Sequence, residues 1–119
     1  MDGVQPEVGF DAAYSEPARR VGGGLRQVRK HAVVTGMVQG VGFRYESVRA
    51  ARRIGIVGWV RNCMDGSVEL EFQGEPGSVA QMIEWLWHGP QWARVDDVTV
   101  ESEPPKDVAH AERAFTVVR

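Results

Sequence analysis

The residues best placed by type and spacing to do chemistry are Gly36-Met37-Val38-Gln39-Gly40-Val41-Gly42-Phe43-Arg44. An apolar, β-branched run (Val33, Val34, Thr35, Val38) leads into this stretch, and a helix-like run from Tyr45 to Ile54 leads out of it. A glycine-bearing turn between a strand and a helix leaves backbone N–H groups unpaired and pointing one way. Those donors, the helix N-terminus behind them and the guanidinium of Arg44 make a cradle for a small anion, with phosphate the natural fit. On this stretch alone a second reading stands beside it: a tight strand-to-helix connection in which glycine relieves φ strain.

What the loop lacks narrows the chemistry. A dinucleotide fingerprint needs a small residue three places after its second glycine, and counting from Gly42 that place is held by Tyr45. A nucleoside-triphosphate loop needs Lys followed by Ser or Thr for the phosphates and magnesium. Phe43-Arg44-Tyr45 stands there instead. The site suits one compact oxyanion held by Gln39, Gly40, Val41, Gly42, Phe43 and Arg44, with no metal ligand in the loop.

A second stretch decides between the two readings. Gly58-Trp59-Val60-Arg61-Asn62 reads as a strand that ends in a short connection, Cys63-Met64-Asp65-Gly66. Another alternating strand follows, Val68-Glu69-Leu70-Glu71-Phe72. Gly-x-Val-Gln-Gly-Val-Gly-Phe-Arg at 36–44, Gly-Trp-Val-Arg-Asn at 58–62, Asp-Gly at 65–66, Val68-Glu69 and Gly74 together resemble the acylphosphatase family. The resemblance runs from about His31 to Arg119. It implies a ferredoxin-like fold and hydrolysis of small acyl phosphates such as carbamoyl or acetyl phosphate. In the family the loop arginine binds the phosphate and the asparagine orients the attacking water. The residues matching those roles are Arg44 and Asn62.

The chemistry of the target agrees with such a site. An acyl phosphate is a mixed anhydride whose leaving group is a carboxylate, the base of an acid with pKa about 4. It departs without protonation, so no general acid is needed. The barrier lies in bringing water in line to a negatively charged phosphoryl group, which calls for charge stabilisation and positioning. Loop amides and Arg44 supply the first. The neutral carboxamide of Asn62 supplies the second, and the water's proton can pass to a phosphate oxygen of the substrate.

Bulk properties set limits. The chain has 119 residues, one domain's worth, and a domain of this size buries about two-thirds of its unfolded surface. Its formal net charge is -2, with a sequence pI near 5.9. That balance gives no strong basic field for nucleic acid or an anionic membrane. Cys63 is the single cysteine, so no internal disulfide can form, which suits a reducing compartment. No apolar run approaches a membrane span, and the acidic N-terminus with Pro6 lacks a secretory layout. A cytoplasmic monomer needing neither cofactor nor metal is expected, with inorganic phosphate and sulfate as competing anions.

The elements that must position Arg44 and Asn62 follow from pattern. Residues 1–28 carry Pro6, Pro17 and Gly22-Gly23-Gly24 without sustained periodicity, and are expected to be a flexible extension ahead of a domain at 29–119. Arg19, Arg20, Arg26, Arg29 and Lys30 read as a solvated basic face or a docking arm. Beyond them the pattern is βαββαβ: a strand at about 31–38, a helix at 43–54 stopped by Gly55, and strands at 56–62 and from Val68. A second helix opens at Glu75-Pro76 and turns Val79, Met82, Ile83, Leu86 and Trp87 to the sheet. Strands at about 94–102 and Ala114 to Val118 complete an α+β two-layer sandwich, with helices on one face of a mostly antiparallel sheet and an extra C-terminal strand.

The remaining candidates are weaker. His31, His88 and His110 lack metal spacing and read as surface or strand-end residues. Cys63 stands where many family members carry Thr, and a thiol is a poorer hydrogen-bond partner for Asn62. As a nucleophile it lacks a paired base. Trp59, Trp85, Trp87 and Trp92 read as core and rim aromatics. A base-stacking role would need the ribonucleoprotein aromatic motif, which is missing, and Glu69 and Glu71 would repel RNA. Two classes of function remain: an acylphosphatase, and a non-catalytic phosphate-binding or interaction module of the same fold. A related domain begins a large hydrogenase-maturation protein. This chain's ending after its last strand reads against that context.

Overall fold

The computed structural model describes residues 20–21 and 24–119. Most of the expected N-terminal extension, residues 1–19, 22 and 23, lies outside them. A two-residue ladder pairs Arg20–Val21 with Gly24–Leu25. The domain follows as β1 (Val28–Met37), α1 (Phe43–Ile54), β2 (Val57–Asn62), β3 (Val68–Gly74), α2 (Pro76–His88), β4 (Arg94–Glu103) and β5 (Phe115–Val117). The strands form one sheet in the order β4-β1-β3-β2-β5. Every pairing is antiparallel except β2 with β5, which is parallel. This is the expected α+β ferredoxin-like βαββαβ sandwich with an extra C-terminal strand.

Alternation along the strands sorts the two faces of the sheet. Ala32 and Val34 of β1, Val60 of β2 and Val68, Leu70 and Phe72 of β3 are fully buried. They pack with Phe43, Ala50 and Ala51 of α1 and Val79, Met82 and Leu86 of α2 into one core. Burial of such side chains contributes about 1.5–3 kcal/mol each for the larger ones. The other face carries His31, Arg61, Glu69 and Glu71, joined by ion pairs: His31 Nε2 to Glu69 Oε2 at 2.6 Å and Arg61 Nε to Glu69 Oε1 at 2.7 Å.

Two expectations need correction. Arg29 is not part of a solvated basic face: it lies within β1 and is 1 % exposed. Its guanidinium donates to Glu71 (2.7 Å), Gln73 (3.2 Å) and both carboxylate oxygens of Glu112 (3.0 and 2.9 Å). Nothing in the local sequence announces partners more than 40 residues away. Trp87, placed on the sheet side of α2, is 48 % exposed. Trp85 is the half-buried tryptophan of this helix, its ring against Phe43 of α1 with centroids 5.5 Å apart.

Candidate active site

The end of β1 and the start of α1 are held apart by residues 38–42, which belong to neither element. Gly40 and Gly42 both take left-handed backbone, with φ of 75° and 83°. An L side chain there would meet its own backbone. Left-handed residues set into a loop in this way can turn successive N–H groups to one side. Among the described residues, no N–H from Gln39 to Tyr45 has a hydrogen-bond partner in the protein. Gly42 is also the N-cap of α1, so the positive end of the helix backs the same donors.

The helix start is anchored from below. Phe43 is 1 % exposed and fixes the first turn to the core. The buried Ser47 hydroxyl donates to the carbonyl of Arg44 at 2.7 Å, which sets that residue's backbone. The Arg44 side chain itself is exposed and has no carboxylate partner among the described residues. Its guanidinium is a planar fork of donors.

Asn62 arrives from the far side. It is the last residue of β2, paired with Val68 at the start of β3. Its Oδ1 is buried and has no hydrogen-bond partner. Leaving a buried acceptor unsatisfied costs about 1–3 kcal/mol, so an unpaired one in a folded protein calls for a reason. Asn62, Gly40, Gly42, Phe43 and Arg44 line one cavity of about 560 Å³. The structure thus brings Gly40, Gly42, Phe43, Arg44 and Asn62 to one cavity, and Gln39 and Val41 are not in its lining. Val41 sits half-buried in the same loop.

Gln39 does something the sequence reading did not assign. Its side-chain Nε2 donates to the carbonyls of Cys63 (2.7 Å) and Ser67 (2.9 Å), so it ties the loop to the β2–β3 turn. That turn is itself knit together. Cys63 N–H donates to Ser67 O at 2.9 Å, and Asp65 Oδ1 accepts from the Ser67 hydroxyl (2.6 Å) and N–H (2.9 Å). Those two bonds hold the Asp65 carboxyl below its usual range. The Cys63 thiol donates to Glu69 Oε1 at 3.6 Å, so Glu69 and not Asn62 is its partner.

The cavity continues beyond the loop. Its far half is walled by Tyr45, Val48 and Arg52 of α1 and by Thr116 and Val117 of β5. Tyr45, Val48 and Arg52 share one helix face by their spacing, a signal present in the sequence. Their partner wall is legible only once β5 has paired with β2.

With this geometry in hand, the comparisons with known proteins are specific. The family model described as Acylphosphatase matches residues 30–116. The chain belongs to the acylphosphatase family. It is 57 % identical over 90 residues to an acylphosphatase of Bifidobacterium longum, a match covering 76 % of this chain and 91 % of the relative. Among solved structures, an acylphosphatase from Coxiella burnetii superposes with a TM-score of 0.71 at 37 % identity, over 77 % of this chain and 93 % of that one. An acylphosphatase from Bacillus subtilis gives 0.72 at 29 % identity, over 77 % and 99 %. The enzyme class is therefore acylphosphatase, and hydrolysis of acyl phosphates is its activity. Among the described residues no helix is long and apolar enough to cross a membrane.

Proposed function

We propose that this acylphosphatase holds the phosphoryl group of its substrate on the amides of the 39–44 loop and on Arg44, and that Asn62 orients the water that attacks it. The observation that carries the reading is that Asn62, whose buried Oδ1 has no hydrogen-bond partner, lines the same cavity as Arg44. Once the carboxamide turns toward the cavity, a water bound there donates one proton to Oδ1 and presents a lone pair to phosphorus. The new O–P bond forms as the bond from phosphorus to the acyl oxygen breaks, and that electron pair leaves on the carboxylate. The water's other proton passes to a phosphoryl oxygen. Arg44 and the loop N–H groups meet the equatorial oxygens, where preorganised donors lower the barrier most.

Purified protein given benzoyl phosphate is expected to release benzoate and inorganic phosphate in equal amounts. The competing reading, a phosphate-binding module without turnover, predicts phosphate binding by calorimetry and no release above the uncatalysed rate.

A further inference from the structure

The far half of the cavity contains a cation that the phosphate chemistry does not use. Arg52 lies two turns along α1 from the loop, about 12 Å from Arg44 along the helix axis at roughly 1.5 Å per residue. One of its terminal nitrogens, Nη2, donates to the carbonyl of Phe115 at 3.2 Å. Among the described residues no carboxylate pairs with it. The hydrogen bond to β5 steadies the guanidinium without neutralising it. Between Arg52 and the phosphate cradle the walls are Tyr45, Val48, Thr116 and Val117. The cavity therefore runs from an anion cradle, past mainly apolar side chains, to a second cation.

We propose that the groove between α1 and β5 is the acyl subsite, and that Arg52 selects acyl phosphates carrying a second anionic group, a carboxylate several carbons from the mixed anhydride. The proposal rests on the phosphate assignment above. Phe115 stands level with Gly58 of β2, four residues before Asn62. The span from Asn62 to the level of Arg52 is thus about 13 Å at roughly 3.3 Å per residue. An acyl chain of about five carbons, with hydrogen-bond lengths at each end, reaches across most of that distance, and the exposed Arg52 side chain takes up the rest by exchanging its hydrogen bond to Phe115 O for the carboxylate.

The test compares two substrates of equal length, glutaryl monophosphate and valeryl phosphate, which differ in the distal carboxylate. Wild-type kcat/KM is expected to favour the glutaryl compound about fivefold at low salt, the scale of one partly exposed ion pair. The preference should shrink as sodium chloride is added. Arg52→Met should bring the ratio near one, Arg52→Glu should invert it, and Arg52→Lys should keep much of it. Arg53 supplies the control: it is exposed on the same helix but lies outside this cavity, so Arg53→Met should retain the wild-type ratio. A wild-type ratio near one overturns the proposal, as does a preference that Arg52→Met leaves intact or that Arg53→Met reduces equally. Benzoyl phosphate separates the two failures. If it turns over while the ratio is flat, the subsite is wrong. If it does not, the phosphate assignment fails first.

Discussion

The side-chain amide of Gln39 spans from the phosphate-loop segment to the carbonyl of Cys63, 2.7 Å away, and shares its second proton with Ser67 at 2.9 Å. Cys63 follows Asn62 in the chain, so one side chain fixes the loop relative to the residue assigned to water. Gln39→Ala removes two hydrogen bonds, and each carbonyl keeps one backbone donor, Gly66 N–H on Cys63 O and Cys63 N–H on Ser67 O. A loss of about 1–2 kcal/mol in urea unfolding is expected. A fall in kcat of about tenfold should accompany it, since small displacements of reacting groups are costly. Gln39→Glu should be worse than Ala, because it sets a carboxylate against two carbonyl oxygens. Full kcat in a folded Gln39→Ala protein would show that the loop keeps its register without this tie.

The Arg29 cluster should set the acid limit of the fold. Its hydrogen bond holds the Glu112 carboxyl below the usual range, against the opposing effect of burial. Hydrogen bonding from His31 does the same for Glu69. A carboxylate with a lowered pKa in the folded state gives its full stabilisation above the unfolded-state pKa and loses it as pH falls through the folded value. Tm should therefore drop as pH falls below about 4. Glu112→Gln should start lower at pH 7 and show a shallower acid slope. Arg29→Met, which strands two carboxylates, should cost on the order of 3 kcal/mol. Parallel Tm-against-pH curves for wild type and Glu112→Gln would refute the assignment.

Activity should survive EDTA and dialysis, because residues 36–44 contain no carboxylate or hydroxyl to hold magnesium. Inorganic phosphate and sulfate should compete with substrate, since a cradle that holds the phosphoryl group as proposed would also take a free tetrahedral oxyanion. A strict magnesium requirement, or purely noncompetitive inhibition by phosphate, would place the chemistry elsewhere.

The parts legible in the sequence are those governed by local rules. Helix α1 runs over Phe43–Ile54 as its pattern requires, and Gly55 caps it in left-handed backbone, its N–H donating to Ala51 O at 2.8 Å. The alternation of Val68, Leu70 and Phe72 is an inward row of fully buried side chains. Arg44 and Asn62 stand in two motifs legible in the sequence, and the structure brings both to one cavity. What stayed hidden depends on contacts distant in sequence. Trp85 and Trp87 flank the buried row of α2 on opposite sides, and only the position of Phe43 selects Trp85. The first strand begins three residues earlier than its apolar pattern, at Val28, because it continues pairing with Gly74 and Gln73. The Gln39 tie and the Arg29 cluster use polar side chains whose partners periodicity cannot name.

Arg44 and Asn62 should separate cleanly in kinetics. Arg44 is assigned to phosphoryl oxygens in both ground and transition states, so Arg44→Ala should weaken phosphate binding as well as turnover. Arg44→Lys should also be poor, because a point charge cannot reproduce a planar fork. Asn62 is assigned to the water, and its partnerless Oδ1 should make little contact with substrate. Asn62→Ala should lower kcat about 10²-fold or more, the order expected on removing one preorganised polar group. Phosphate affinity by calorimetry should stay near wild type. The sharper variant is Asn62→Asp. It keeps an acceptor for water but sets a negative charge beside a phosphate dianion, so affinity should fall with turnover. If Asn62→Ala keeps near-normal kcat while phosphate binding collapses, Asn62 is a substrate ligand and the division of labour between the two residues is wrong.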